Sequence, residues 1–418
     1  CSSDLASSDI QFLVARESYS NATGEPDAEK KKELYAQAAK DLAKVDATSN
    51  YYERALVLKG RSEDGAGKPE DAIATFDFLF SRAAKEGVAH SKKLTQQRAI
   101  ALAEAAFYKA GVLLDLERHS EVLKTLEGYE SKHEGQAPFF PNVQYYRIRA
   151  LVGLGEWDRA EELLGSLEAN HPRASTVGYA INAVAAGFYD AYKNHADEGS
   201  EEALGHLTKA ANYLARYNKL SGYGSFQNLR NVADWTKRLG EYGLAAENYK
   251  RLIDRFGKQP KYARTVDSKV KRDYAEVLLA QKEFQAAVPL WTEVYAANRK
   301  NREVVRSFAL CLGGWLEEEE NRGLYTYTEV PGAGQYKEAM EKWFELKKGL
   351  EDAGEKGTDG WWETVANYLF CNHMAAKQNP QMKDAGLKLI ENYKALYPDL
   401  GGGSWKRKIE KLERAFRR

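Results

Sequence analysis

The stretch 229–256 constrains the fold more than any other part of the sequence, because its pattern predicts two short amphipathic helices joined by a turn. Leu229 and Ala233 stand at a spacing that places side chains on one face of an α-helix. Gly240 predicts the turn, since glycine takes a left-handed backbone conformation at little cost. Ala245 in the second helix is small enough for two helix backbones to approach closely. One such hairpin cannot bury both of its faces, so units of this kind must stack.

The small residue of the second helix recurs at a nearly constant interval through the middle of the chain. The marker alanines Ala160, Ala203, Ala245 and Ala287 are spaced 43, 42 and 42 residues apart by their numbers. Common helical-hairpin repeats have a period of about 34 residues. We therefore expect helices or inter-repeat loops that are longer than in the common repeat.

The recurring units resemble tetratricopeptide repeats (TPRs). That family has a glycine at the helix turn, followed at set spacings by an aromatic residue, a small residue, an aromatic residue or leucine, and a proline after the second helix. The matching positions are Gly155, Trp157, Ala160, Leu164 and Pro172; Gly240, Tyr242, Ala245, Tyr249 and Leu252; Phe284, Ala287, Trp291 and Val294; and Gly334, Tyr336, Ala339, Trp343 and Leu346. The resemblance implies an all-α fold, a right-handed superhelical solenoid of about eight or nine TPR-like helical hairpins with a C-terminal capping helix.

The units predict five segments along the chain. They are a short lipid-anchor tether (1–7), N-terminal helical hairpins (8–134), central TPR-like repeats (142–300), C-terminal repeats (301–404) with an insertion at 321–334, and a basic capping helix (405–418). A stack of hairpins needs a polar cap to avoid exposing apolar surface, and the last helix supplies one. Basic amphipathic helices can also lie on anionic membranes or bind acidic partners, so that interpretation stays open beside the cap.

The sequence begins with Cys1-Ser2-Ser3-Asp4. This start resembles that of a mature bacterial lipoprotein, whose signal peptide is cut just before a lipid-modified cysteine. The resemblance implies a lipid anchor on Cys1, and Ser2 at the second position implies the outer membrane. We therefore expect a lipid-anchored protein of the bacterial cell envelope, facing the periplasm or the cell surface. A trimmed chain that happens to begin with cysteine is the alternative.

Composition and motifs argue against several kinds of function. The 61 basic and 61 acidic residues leave no net charge, whereas a nucleic-acid-binding protein needs a basic excess. The sequence has no nucleophile elbow, Gly-rich phosphate loop, HExxH or CxxC motif, so we expect neither an enzyme nor a cofactor or metal site. Cys311 and Cys371 lie on apolar helical faces, which favours buried free thiols, while a disulfide between them stays open.

The resemblance to TPRs also implies that the first helices of the repeats line a concave groove. The groove positions that it implies here are Tyr145, Arg149, Gln227, Arg230, Asp234, Lys237, Arg238, Lys269, Arg272 and Glu276. Arginine and tyrosine are enriched at interfaces. We expect a basic groove that binds an acidic segment or a peptide carboxylate; charges that only solvate the surface are the alternative. Tyr325 and Tyr327, in the Gly- and Tyr-rich insertion, are a second candidate contact.

Two functions are consistent with these features. The first is a non-enzymatic scaffold or adaptor lipoprotein that binds another envelope or extracellular protein and supports complex assembly. The alternative is a glycan-binding or polysaccharide-export helical-repeat lipoprotein, whose tyrosines and tryptophans stack on sugars.

Overall fold

The computed structural model describes the backbone of residues 2–86, 92–133, 139–220, 224–313, 335–377 and 379–418, and the side chains of these ranges except 2–8, 86 and 92–95. Every regular element within these ranges is helical. In chain order they are α1 (Ser2–Gly24), α2 (Ala28–Leu42), α3 (Tyr52–Gly65), α4 (Pro69–Glu86), α5 (Lys92–Asp115), α6 (His119–Thr125), α7 (Tyr129–Lys132), α8 (Phe140–Gly153), α9 (Trp157–Asn170), α10 (Ser175–Asn194), α11 (Glu201–Leu220), α12 (Phe226–Arg238), α13 (Tyr242–Phe256), α14 (Pro260–Thr265), α15 (Lys271–Ala280), α16 (Phe284–Ala297), α17 (Arg302–Gly313), α18 (Tyr336–Asp352), α19 (Asp359–Ala376), α20 (Gln381–Leu396) and α21 (Gly403–Arg417). A π-helical turn, Val266–Val270, joins α14 to α15.

Residues 1–221 form the first of two compact units, here called unit 1. Its helices pack as successive hairpins, α1 with α2, α3 with α4, α5 with α6, α8 with α9, and α10 with α11. The first helices of these hairpins also pack against one another in order, so that α1, α3, α5, α8 and α10 form one continuous layer. This layer is the part of unit 1 that positions the candidate site.

Residues 222–418 form unit 2. Here α12 pairs with α13, α15 with α16, α17 with α18, and α19 with α20. The last helix, α21, packs against both α19 and α20. Unit 2 has a large apolar core, in which Trp291, Trp343 and Trp361 are among the fully buried side chains.

The positions that the repeat pattern marks are buried where helices meet. Ala160, Ala245 and Ala287 are at most 1% exposed. Tyr249 and Trp291, each one turn after such an alanine, are equally buried. A small residue thus admits the neighbouring helix and an aromatic ring fills the adjoining space. The prediction of an all-α chain built of TPR-like helical hairpins with a C-terminal capping helix is confirmed.

The turns between paired helices use the left-handed backbone that the glycine pattern predicts. Gly155 has a φ of +72° and Gly240 a φ of +77°. Lys282 stands where the next unit lacks the glycine, and it adopts a φ of +64°. A side chain in this conformation costs roughly 1–2 kcal/mol. The packing of α15 on α16 therefore imposes this turn against the preference of its own residue.

The predicted segment boundaries are only partly visible in the structure. Helix α1 begins at Ser2, so residues predicted as a tether lie within this helix; no proline or glycine interrupts the sequence before Gly24. The division between the two units falls inside the block 142–300 that the sequence treats as one. The insertion 321–334 lies outside the described residues, and the segment boundaries stay predictions. Among the described helices, none is both long and apolar enough to cross a membrane.

Cys311 on α17 and Cys371 on α19 are both fully buried, and neither forms a disulfide. Burial raises the pKa of the Cys311 thiol to about 12. A thiol with such a pKa stays protonated, and it is the thiolate that reacts. The prediction of buried free thiols is confirmed for this pair.

The capping helix α21 buries one side and exposes the other. Ile409, Leu412 and Phe416 are at most 4% exposed. The Phe416 ring lies over Gly386 of α20, where an added Cβ would stand 2.5 Å from Cζ of the ring. Only a glycine at that position lets the capping helix approach so closely.

His373 of α19 is a half-buried titratable side chain beside the capping helix. Its ring centroid lies 4.9 Å from that of Phe416. Burial, together with the charges of Lys377 and Lys383, holds the pKa of His373 below its ordinary value of 6.5. The contribution of His373 to stability is therefore fully present above about pH 6.5 and is lost as the pH falls below it, where the unfolded state takes up a proton that the folded state resists.

We expect the substitution His373→Gln to flatten the loss of unfolding free energy between about pH 7 and about pH 5, relative to the unsubstituted chain. Urea denaturation at a series of pH values measures this difference. Identical pH profiles for the two proteins would show that His373 binds its proton equally well in both states.

Candidate binding groove

The layer of first helices in unit 1 contains an open cavity of about 540 Å³ between α1, α3 and α5. Phe12, Leu58 and Ala101 form buried apolar parts of its wall. Its charged residues and one of its tyrosines are Arg16, Tyr19, Glu53, Arg54, Arg61 and Glu104. The cavity lies on the first helices, where the sequence predicts a groove.

Arg61 of α3 lies between two tyrosine rings. Its guanidinium carbon is 5.1 Å from the ring centroid of Tyr19 on α1 and 4.2 Å from that of Tyr108 on α5. Such cation–π contacts hold an arginine in place while leaving its N–H donors available. Among the described residues, no carboxylate lies within ion-pair distance of Arg61. The same holds for Arg16, which is exposed on α1.

The two glutamates of this cavity are already engaged by other arginines. Arg98 of α5 donates to Glu53 of α3 at 2.8 Å. Arg54 of α3 forms an ion pair with Glu104 of α5. These crossed pairs tie α3 to α5. The charge that remains unbalanced at this end of the groove is therefore positive.

A second cavity of about 290 Å³ continues the first along the helix layer. The two cavities share Tyr19 and Arg61. Arg16 lines only the first cavity, whereas Asp64 and Asp115 line only the second. Arg61, which lines both cavities, therefore lies between Arg16 and the two carboxylates. The groove is thus polarised along its length, with a cationic part on α1 and α3 and an acidic part at the C-terminal ends of α3 and α5.

Tyrosines continue along the layer from Tyr146, which lines the second cavity. Tyr146 of α8 stacks on Phe107 of α5 with ring centroids 4.9 Å apart. The ring centroid of its neighbour Tyr145 lies 6.2 Å from that of Tyr179 on α10. The guanidinium carbon of Arg149 lies 5.8 Å from the centroid of the Tyr145 ring. Tyr145 and Arg149, predicted from sequence, therefore sit in one row with the cavity tyrosines.

Burial raises the pKa of Tyr19 and of Tyr146 above the ordinary value of a phenol. Both side chains therefore remain neutral at physiological pH and keep their hydroxyl proton. A half-buried phenol of this kind offers an apolar ring face and one hydrogen-bond donor.

The predicted site residues of unit 2 are arranged differently. Gln227, Arg238 and Lys269 are exposed, whereas Arg230, Asp234, Lys237, Arg272 and Glu276 are half-buried. Asp234 accepts a hydrogen bond from the Tyr249 hydroxyl at 2.6 Å and lies 3.4 Å from Nε of Arg230. Lys237 of α12 contacts Asp273 at 3.1 Å and Glu276 at 2.5 Å, both on α15.

The ion pairs of unit 2 continue from one first helix to the next. Arg272 of α15 contacts Glu303 of α17 at 2.9 Å. Arg306 of α17 then contacts Glu363 of α19 with two nitrogens, the nearer at 2.6 Å. We call this series from Lys237 to Glu363 the ion-pair ladder.

The ion-pair ladder also sets the protonation of its members. Burial by itself lowers the pKa of Lys237, but the hydrogen bond and charge of Glu276 and the charge of Asp273 outweigh it and leave that pKa above its ordinary value. Burial raises the pKa of Asp273, and the charge of Lys237 offsets only part of this. Half-buried cations here have carboxylates already beside them, so this face of unit 2 is neutralised from within.

The structure thus separates residues that the sequence treats alike. A role in partner binding stays a prediction for all ten groove positions. Tyr325, Tyr327 and Cys1 lie outside the described residues.

Sequence reasoning missed Arg16, Tyr19, Arg54, Arg61 and Tyr108. The seven-residue spacing of Arg54 and Arg61, which puts both on one face of α3, was the available signal.

In the part of the chain that the structure describes, no group of three or more His, Cys, Asp or Glu side chains is arranged to hold a metal ion. The chemistry that the groove offers is recognition by guanidinium groups, phenols and aromatic faces.

Comparison with known proteins identifies no family by sequence: no family model matches the chain, and no curated protein does. Among solved structures, a tetratricopeptide repeat protein from Parabacteroides merdae covers 72% of this chain and 99% of its own, with 10% identity and a TM-score of 0.38. The TPR2AB domain of yeast Sti1, solved in a complex with pHSP90, covers 76% of this chain and 99% of its own, with 13% identity and a TM-score of 0.32. A thermophilic TPR protein from Thermus thermophilus covers 50% of this chain and 98% of its own, with 18% identity and a TM-score of 0.27.

Proposed function

We propose that this chain is a non-enzymatic helical-repeat scaffold whose unit 1 groove binds an extended, acidic segment of a partner protein. One observation carries the proposal. Arg61 is held between Tyr19 and Tyr108 in the middle of the groove, and no carboxylate of the described residues lies within ion-pair distance of it.

The chemistry of the groove matches such a ligand. A guanidinium group binds a carboxylate through two parallel N–H donors, which adds geometric specificity to the charge. The phenols of Tyr19 and Tyr146 are neutral donors that can bond backbone carbonyls of an extended chain. Two cavities that share Tyr19 and Arg61 form an elongated site, which suits a segment of several residues better than a compact ligand. The acidic group of that segment would bind at Arg16 and Arg61 in the first cavity, away from Asp64 and Asp115 of the second.

Arg61→Ala is expected to weaken binding of acidic peptides by about tenfold or more, because one well-placed arginine commonly contributes more than 1.4 kcal/mol. Fluorescence anisotropy with short Asp- and Glu-rich peptides, carrying a free carboxyl terminus, measures the affinity. Arg61→Lys keeps the charge but not the two parallel donors, so we expect an intermediate loss.

Arg173→Ala is the matched control, since Arg173 is an exposed arginine of unit 1 in the loop between α9 and α10. It should leave the affinity unchanged. Equal affinities of the Arg61→Ala and unsubstituted chains would contradict the proposal, as would an unsubstituted chain that binds basic peptides as tightly as acidic ones. A native partner that is captured by the unsubstituted chain and lost with Arg61→Ala would extend the result to a protein.

A second candidate function, glycan binding, is favoured by the row of tyrosines from Tyr19 to Tyr179. Tyr179 is 57% exposed, which leaves its ring face open to a sugar. On a glycan array, a signal that is lost on Tyr179→Ala or Tyr325→Ala and kept on Arg61→Ala would support this candidate over the first. An array without signal would remove it.

We also propose that a lipid on Cys1 attaches the protein to a bacterial outer membrane and that its partner lies within the cell envelope. Mass spectrometry of the intact N-terminal peptide from the native protein tests the lipid directly. An unmodified Cys1 would remove the membrane anchor while leaving the groove proposal intact.

A further inference from the structure

The outer side of α21 carries a stripe of positive charge. The exposed cations of this helix and of the residue that caps its C-terminus, and that have no ion-pair partner among the described residues, are Lys406, Arg407, Lys411, Arg414 and Arg418. At 100° of rotation per residue they occupy an arc of roughly 140°. The half-buried Glu410 is the acidic residue within that arc. We call these five residues the basic stripe.

The fold does not need the basic stripe. The side of α21 that packs on α19 and α20 holds Ile409, Leu412 and Phe416, and it lies opposite the stripe. The other cation near the end of the helix, Arg417, is paired with Glu413 at 3.1 Å. Glu410 and Glu413 both lie on this helix, yet among the described residues neither forms an ion pair with a residue of the basic stripe.

A cavity whose wall is partly apolar and partly basic meets the basic stripe at Lys411. It has a volume of about 400 Å³ and opens between α19 and α21. Phe370, Met374 and Leu412 form its apolar wall, and Ala415 leaves space at its edge. The remaining lining residues are His373, Lys377 and Lys411, so no acidic side chain lines it. Lys411 belongs both to this cavity and to the basic stripe.

We infer that α21 is a docking surface for an anionic lipid bilayer, in which the basic stripe contacts headgroup phosphates and the cavity takes a lipid acyl segment. This surface lies in unit 2 and does not depend on the groove of unit 1. Lysine and arginine side chains close to a membrane surface are attracted to its anionic headgroups, and apolar contact with the acyl chains adds to that attraction.

The combination of stripe and cavity favours lipid over other polyanions. A nucleic acid would bind the stripe through its phosphates but has no group for a cavity walled by Phe370, Met374 and Leu412. Inorganic phosphate would likewise leave the cavity empty. An anionic lipid alone among these three carries a negative headgroup joined to a hydrocarbon chain. The chain as a whole has no net charge, so the stripe is a local feature.

The test is co-sedimentation of the full chain with vesicles, using a Cys1→Ser variant so that no acyl group on the protein contributes. Vesicles are phosphatidylcholine alone or phosphatidylcholine with one third phosphatidylglycerol. We expect binding to the anionic vesicles, none to phosphatidylcholine, and loss of binding as salt rises well above about 0.1 M. Each Lys or Arg contributes about fivefold near an anionic surface, so Lys411→Glu with Arg414→Glu should weaken binding by at least about twentyfold.

Lys258→Glu with Arg264→Glu is the matched control, because both residues are exposed in unit 2 and the change in charge is the same. It should bind anionic vesicles like the parent. Ala415→Trp fills the mouth of the cavity without changing charge, and it should weaken vesicle binding several-fold while leaving the circular dichroism spectrum unchanged.

Three results would overturn the inference. The first is equal vesicle binding by the stripe variant and its control. The second is equal vesicle binding by Ala415→Trp and the parent, which would show that no acyl segment enters the cavity. The third is binding to a short DNA duplex, or to inorganic phosphate, as tight as to anionic vesicles.

Discussion

Trp343→Ala is expected to lower the free energy of unfolding of unit 2 by about 3–5 kcal/mol, the range for removing a fully buried tryptophan from a core. Trp343 of α18 is 0% exposed and belongs to the same core cluster as Trp291 and Trp361. Alanine at this site leaves a cavity between α18 and its neighbours α17 and α19, the two helices with which α18 packs most closely. Urea denaturation followed by circular dichroism measures the loss.

The adjacent residue provides the control for Trp343. Phe344 is 53% exposed, so Phe344→Ala should cost less than about 1 kcal/mol. Trp343→Phe keeps most of the ring volume, and it removes an indole N–H that has no acceptor among the described residues. We therefore expect it to cost less than the alanine variant.

Hydrogen exchange locates the effect of Trp343→Ala. Peptides from 335–377 should lose protection in this variant, while peptides from unit 1 keep theirs. Equal unfolding free energies for Trp343→Ala and Phe344→Ala would contradict the role given to the buried ring.

Gly401→Ala is expected to lower the free energy of unfolding by about 2–4 kcal/mol, because two destabilising effects coincide at this residue. Its φ of +82° is a left-handed conformation that alanine resists. An added Cβ would also stand 2.5 Å from Cδ1 of Trp362. Trp362 cannot move aside easily, since its ring is 2% exposed and packs against Tyr393 and Tyr397. Thermal or urea unfolding of the full chain measures the cost.

Gly354→Ala separates the two penalties at Gly401. Gly354 has a φ of +76° but no atom within 4 Å of an added Cβ, so it should cost only about 1–2 kcal/mol. The excess at Gly401 is the contact with Trp362, which helps hold the segment that leads into α21. If both glycines gave the same loss, the close approach to Trp362 would have no energetic weight.

The repeat architecture is predictable from sequence because it depends on local rules. Gly240, Ala245 and Tyr249 act within one hairpin, and each of them occupies the conformation or the degree of burial that its residue type favours. Lys282 shows the limit of such rules, since its turn is left-handed without a glycine. The recurrence of the other markers was sufficient to place that unit in the array.

The charge of the groove is harder to predict because it depends on pairs that are far apart in sequence. The sequence predicts Lys237 to be a groove cation, whereas the structure places the carboxylates of Asp273 and Glu276 beside it. Arg61 reads as an ordinary surface arginine of α3, and only the packing of α1 and α5 shows that two tyrosines hold it. Whether an arginine is neutralised or available is decided by which helices become neighbours.

The ion-pair ladder of unit 2 has a consequence for how such a chain can evolve. Lys237 and Glu276, Arg272 and Glu303, and Arg306 and Glu363 each join two different hairpins. Duplicating or deleting one hairpin would part at least one cation from its carboxylate and leave a half-buried charge without a counterpart, which is destabilising. Unit 2 can therefore change its length only together with compensating substitutions, and its repeats are no longer interchangeable copies.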